Sequence, residues 1–353
     1  MKTFFKSWIV LLIGTALLLT GCSDGGVVTN SWPGLSAAGE VAYIANGDSV
    51  YAVNTGNGGM IWRFPAEPDR GTAFFATPVL DNDQLIVGDY QSNLYGINPK
   101  TGAQLWIFDG AEGLYIGHVL VENDKIYAPN SDYNLYSLDS QQKILWKIET
   151  SQALWADPVS DGDVIYQASM DHFLYALDAN TGQEIWKVDV GGALGYAPAL
   201  NGEGKLFIGT LANELIALNK MEGVVEWRFP TNDAIWSRPL LDEGILYFGD
   251  ISGNFYAVDA VSGTLKWDLQ NGGGIVGTPA VIQDGIVYGT ETGEIIAVNY
   301  NGEKLWTKIV DGEIYTPPIV VGDSILFAIT KGEELLKAFS MNGNDLWSFS
   351  IPK

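Results

Sequence analysis

Few side chains in this 353-residue sequence have the types and spacing for chemistry. There are two histidines, His118 and His172. Neither lies in a recognisable Ser-His-Asp context, and no Gly-x-Ser-x-Gly elbow is present, so nucleophilic hydrolysis has no template. Carboxylates cluster as Asp81-Asn82-Asp83, Asp161-Gly162-Asp163 and Glu333-Glu334. A glycosidase pair must face each other across a cleft at a set separation, whereas hairpin turns use Asp for backbone reasons. Asp161-x-Asp163 falls far short of an EF-hand loop. The single cysteine excludes a disulfide framework and a multi-Cys zinc site. We therefore expect no catalytic residues and no metal.

The residues better suited to binding are aromatic. A marker recurs along the chain as Pro33, Pro78, Pro158, Pro198, Pro239, Pro279 and Pro318, with His118 in that place in the third repeat. Phe75, Tyr115, Trp155, Trp236 and Tyr315 stand three residues before it, and Tyr196 is one place off. Val276 and Asn30 break the series, and Trp32 directly precedes Pro33. Asp157, Arg238 and His118 lie beside them. If the marker opens the innermost strand of a ring, these side chains gather at one mouth of its channel. An aromatic, concave surface with a few polar groups fits a ligand or a peptide. The alternative is that they only pack the start of that strand between neighbours.

The elements that would position them come from a repeat. Trp62, Trp106, Trp146, Trp186, Trp227, Trp267, Trp306 and Trp347 are spaced by 39 to 44 residues, a period that signals a repeat architecture. In the fourth unit, Asp157–Ser160, Val164–Ala168, Phe173–Leu177 and Gln183–Val188 read as four short strands separated by turn signals. Such a sheet has two apolar faces and buries both only between neighbours, as a propeller blade does. The expected fold is all-β: one eight-bladed β-propeller over 32–353, with four-stranded antiparallel blades at about 32–71, 72–114, 115–154, 155–194, 195–235, 236–275, 276–314 and 315–353. Closure is expected by blade 8 packing on blade 1. The alternative is an outer strand added by Val27-Val28-Thr29. Asp89, Asn130, Ser169, Thr210, Asp250 and Thr290 mark a further recurrent place, expected to satisfy backbone groups where the second strand ends.

Charge excludes one class of partner. Nineteen Lys+Arg against 42 Asp+Glu give a formal net charge of −23, which rules out a nucleic-acid binder with a basic face. Ahead of the repeats, Lys2 and Lys6 precede an apolar stretch from Trp8 to Leu19 that ends in Leu19-Thr20-Gly21-Cys22. This resembles the bacterial lipobox. Residues 1–21 are then a lipoprotein signal peptide, Cys22 is lipidated, and 22–31 is a flexible tether. The implied location is the extracytoplasmic face of the cell membrane, or the outer membrane if one exists, with contact to lipid through the anchor only.

Ala176-x-Asp178-x-x-Thr181-Gly182-x-x-x-Trp186, with variants at Ala52…Trp62, Asn98…Trp106, Ala257…Trp267 and Ala297…Trp306, resembles the tryptophan-docking motif of the pyrroloquinoline quinone (PQQ) repeat family. The resemblance implies that the eight Trp are structural, each indole packing between blades. Large quinoprotein dehydrogenases of that family bind PQQ and calcium and carry an adjacent Cys pair, which this chain lacks. It is more similar to the small BamB-like lipoproteins. That implies a non-catalytic, monomeric, protein-binding scaffold in the envelope, possessing no cofactor. The alternatives are a PQQ-dependent or carbohydrate-active enzyme, or a small-ligand sensor using the aromatic mouth.

Overall fold

The computed structural model describes residues 31–68 and 71–352, so Cys22, the signal segment, the tether and Val27-Val28-Thr29 lie outside the described residues. Within these bounds the structure contains eight sheets, each of four consecutive antiparallel strands, and no sheet borrows a strand from another. The sheets span 34–64, 79–108, 120–149, 159–189, 199–230, 240–270, 280–309 and 319–349, and they are blades 1 to 8 of a β-propeller. In blades 2 to 8 the innermost strands are the shortest, such as Val159–Ser160 and Ala199–Leu200.

The two middle strands of each blade are buried on both faces and therefore read as continuous apolar runs, for example Val164–Ala168 and Phe173–Asp178. The outer strands alternate, as in Glu184–Asp189, because only one face meets a neighbour. The apolar core is accordingly divided into eight seams. One joins Tyr43, Val50 and Phe64 of blade 1 to Phe74, Leu85 and Ile97 of blade 2. Another joins Leu326, Leu336 and Phe349 of blade 8 to Leu35, Ile44 and Tyr51 of blade 1, and this seam closes the ring. Closure is reinforced by hydrogen bonds from Trp347 Nε1 to Thr55 O at 2.8 Å and from Thr316 Oγ1 to Pro33 O at 2.6 Å.

The rim of each seam is latched by the periodic tryptophans. An Asp or Asn caps the turn before the outer strand, as when Asp178 Oδ1 accepts from the Asn180 and Thr181 amides. A glycine three or four residues later adopts positive φ, and the indole of the preceding blade lies flat against it. A Cβ on Gly102 (φ 71°) would sit 2.9 Å from Trp62, and Gly182 relates to Trp146 in the same way. The indole N–H then donates to the carbonyl after the cap: Trp62 to Pro99, Trp146 to Ala179, Trp186 to Lys220, Trp267 to Tyr300 and Trp306 to Met341.

Two blades depart from this rule: in blade 5 the Trp227 indole lies on Gly263 but its Nε1 has no hydrogen-bond partner among the described residues, and in blade 2 the indole has no glycine seat. Blade 3 carries Gln142, at φ 61°, where the other turns place the seating glycine. Trp106 cannot settle on a side chain there. Its Nε1 instead donates to Gln84 Oε1 of its own blade at 2.9 Å, and its indole fills the space over Gly96, whose Cβ would lie 2.2 Å away. In six of the other blades the residue paired with the tryptophan is alanine, as Ala52 with Trp62 and Ala257 with Trp267, and in blade 3 it is Ser137.

This arrangement predicts an energetic coupling. Gly96→Ala alone overpacks the folded-back indole and should cost about 1–3 kcal/mol. In a Gln142→Gly background the indole can move to the neighbouring turn, and the same substitution should cost under about half as much. Urea midpoints of the two single variants and the double variant measure this, and strictly additive costs would contradict it.

Candidate functional site

All the predicted mouth residues lie on the segment that leads from one blade into the innermost strand of the next. That segment is held by a repeating hydrogen bond. The amides of Tyr115, Leu154, Leu194, Ile235, Ile275 and Ile314 donate to the carbonyls of Asp89, Asn130, Ser169, Thr210, Asp250 and Thr290 of the preceding blade. The recurrent small polar residues therefore stitch adjacent blades through their carbonyls, and their side chains also serve the local turn. Asp89 Oδ1, for example, accepts from the Gln91 and Asn93 amides at 2.8 and 2.7 Å.

This ladder corrects the reading of the third repeat. Tyr115 is equivalent to Leu154 and Ile235, is fully buried, and plugs the seam between blades 2 and 3. It is not a mouth residue. Strand register gives the same answer, since Leu120 pairs with Tyr127 as Val159 pairs with Tyr166. Val119 thus takes the proline position, His118 that of Asp157, and Ile116 that of Trp155. Counting back from Trp146 hid the shift because the turn after Asp139 is one residue shorter than the turn after Asp178. Counting back from the second strand reveals it.

The remaining residues fall into three groups. Phe75 is buried and packs at a tilt on Tyr90 of its own blade, with ring centroids 5.2 Å apart. Trp32 packs on Tyr315 at 5.5 Å, and its indole interacts with the Tyr196 hydroxyl. Trp32 belongs to blade 1 and Tyr196 to blade 5, on opposite sides of an eight-membered ring, so this contact spans the channel. Burial pushes the Tyr196 hydroxyl above its ordinary pKa, and the Asp157 carboxylate adds to the effect.

The third group lies over blade 5. Trp155 of blade 4 and Trp236 of blade 6 meet at 6.3 Å although a whole blade separates them. They can do so because blade 5 has Gly195 at this position, and a Cβ there would touch the Trp236 ring at 3.8 Å. The next position toward the strand repeats the pattern: Asp157 in blade 4, Ala197 in blade 5, Arg238 in blade 6. Asp157 Oδ1 accepts from the His118 amide at 2.8 Å and lies 2.8 Å from His118 Nδ1, so that nitrogen carries a proton. Burial alone would raise the Asp157 pKa, but His118 and then Arg238 outweigh it and hold the carboxyl below its ordinary 3.8. Arg238 acts on Asp157 only through its field. Its guanidinium forms no hydrogen bond or ion pair among the described residues. The arrangement is a half-buried aromatic surface with one cation that has no direct partner among the described residues and one ionised carboxylate held by His118, which suits binding.

The model of the family described as outer membrane protein assembly factor BamB matches residues 46–155, 170–277 and 271–352. Outer membrane protein assembly factor BamB of Nitrosomonas eutropha is 23% identical over 232 residues, covering 62% of this chain and 54% of that protein. A tetrathionate hydrolase of Acidithiobacillus ferrooxidans is 28% identical over 173 residues, covering 44% of this chain and 34% of that one. The chain thus spans about half or less of the length of these relatives. The crystal structure of BamB from Moraxella catarrhalis superposes with a TM-score of 0.68 at 17% identity, over 88% of this chain and 91% of the other, which supports the fold.

The Asp157 cluster predicts a pH dependence. Asp157→Ala should cost about 1–3 kcal/mol at pH 7, because it strips a charge-assisted acceptor from the part-buried His118 amide. A carboxyl with a lowered folded-state pKa stabilises above its unfolded value and loses that contribution as pH falls through the folded one. The gap between wild type and variant should therefore hold down to about pH 4 and narrow below it. Chemical denaturation from pH 7 to pH 3 checks this, and a gap that widens on acidification would contradict it.

Proposed function

We infer the function from the premise that this chain belongs to the family of outer membrane protein assembly factor BamB: it is a non-catalytic scaffold of the cell envelope that binds other proteins. It is exported and held at the membrane through lipidated Cys22, and its propeller presents the channel mouth to an envelope protein partner. It uses no cofactor. The observation that carries the reading is the mouth over blade 5, where Trp155 and Trp236 form an aromatic surface beside Arg238, whose guanidinium has no hydrogen-bond or ion-pair partner among the described residues. Tryptophan and arginine at the centre of a concave surface are the side chains that most often dominate protein–protein affinity.

Alanine at Trp155, Trp236 and Arg238 together should lower recovery of the bound envelope protein about tenfold when the anchored chain is captured from its own membranes. The melting temperature should fall by no more than about 4 °C, since none of the three fills a seam. Full recovery would exclude the mouth as the docking face. The similarity to a tetrathionate hydrolase favours a second, enzymatic reading. Under our reading the purified chain leaves tetrathionate unconsumed, and PQQ with calcium shifts neither its absorbance nor its melting temperature. Turnover, or a clear shift with both additions, would overturn the scaffold reading.

A further inference from the structure

Each blade ends in an outer strand whose far edge is unpaired among the described residues. Such an edge is a row of free N–H and C=O groups that can template another strand, and proteins usually blunt it with charge. Seven of the eight outer strands follow that practice. Met60–Phe64 carries Arg63, and Ile144–Glu149 carries Lys147 and Glu149. Glu184–Asp189 has three ionised side chains, and Val225–Pro230 has Glu226 and Arg228. Leu265–Gln270 has Lys266 and Asp268, Lys304–Ile309 has two lysines, and Asp345–Phe349 begins with an aspartate. The outer strand of blade 2, Gln104–Phe108, has none: it reads Gln-Leu-Trp-Ile-Phe.

Two further features single out the same strand. Leu105 and Ile107 are 50% and 45% exposed. They alternate with Trp106 and so form an apolar pair on the opposite face of the sheet from the indole. Trp106 is also the one latch tryptophan that donates within its own blade, because Gln142 occupies its seat on blade 3. The rim here has neither charged gatekeepers nor the usual tie to the next blade.

We propose that the outer edge of blade 2 is a strand-addition site that takes an extended, uncharged strand with alternating apolar residues from a partner protein. Backbone hydrogen bonds to Gln104–Phe108 would supply affinity, and the partner's alternate side chains would extend the stripe of Leu105 and Ile107. The occupant is a different protein and not a second copy, because pairing two edges would bring together two chains of formal net charge −23. The edge lies on the rim, away from the channel mouth, so this site stands or falls independently of the mouth.

The test uses the full chain and a fluorescein-labelled nine-residue peptide of alternating valine and threonine, with a proline-interrupted peptide as control. The alternating peptide should bind, the proline peptide should not, and binding should slow hydrogen exchange at amides of 104–108. Ile107→Lys and Leu105→Lys should each weaken binding about tenfold or more. Both side chains are exposed, so the melting temperature should hold. Trp236→Ala should leave the affinity of this peptide unchanged. Equal affinity for Ile107→Lys, equal binding of the proline peptide, or protection that maps outside 104–108 would overturn the proposal.

Discussion

A four-stranded sheet with two apolar faces can be buried only by a neighbour on each side, and the ring, its seams and its fastenings follow from that constraint. The chain meets it eight times and closes the ring with the same packing it uses between sequential blades. No strand is exchanged at the closure. The core is therefore a set of seams, and each seam must be fastened separately. Inside, backbone amides donate to the carbonyls of the preceding blade. At the rim of every seam but that between blades 2 and 3, an indole lies on a glycine that no other residue could replace without a clash.

A ring fastened in this way leaves its loops free to vary, and binding surfaces arise where a blade departs from its siblings. Over blade 5 the departure is a loss of side chains. Gly195 and Ala197 leave a gap, and Trp155, Trp236, Asp157 and Arg238 approach one another across it. At the rim of blade 2 the departure is a loss of charge and of a glycine seat. Neither feature is required to bury the sheets. Sequence relatives are described as an assembly factor and as a hydrolase, so family likeness carries less functional information here than these local exceptions do.

Most of the architecture is readable from the residues because its signals are local. The spacing of the tryptophans, the caps, the turn glycines and the double-faced apolar strands each belong to a single repeat. The candidate site is less readable, and Tyr115 shows why. It stands at the right distance from Trp146, yet a turn one residue shorter moves it from the mouth into a seam. A shift of one residue reverses the direction of a side chain, so a count that is good enough to name the fold is too coarse to name a site.

Period and pattern dictated eight blades, their strand content and the structural duty of the tryptophans, because each depends on residues within about one repeat of one another. Contacts between units were decided only in three dimensions. The Tyr196 hydroxyl meets the Trp32 indole across the channel, Trp155 meets Trp236 over a glycine 40 residues from the first, and Trp106 turns back because of a glutamine in the following blade. Those contacts depend on which side chains are missing between distant positions, and a linear pattern records what is present at each position but not the space that closing the ring leaves between them.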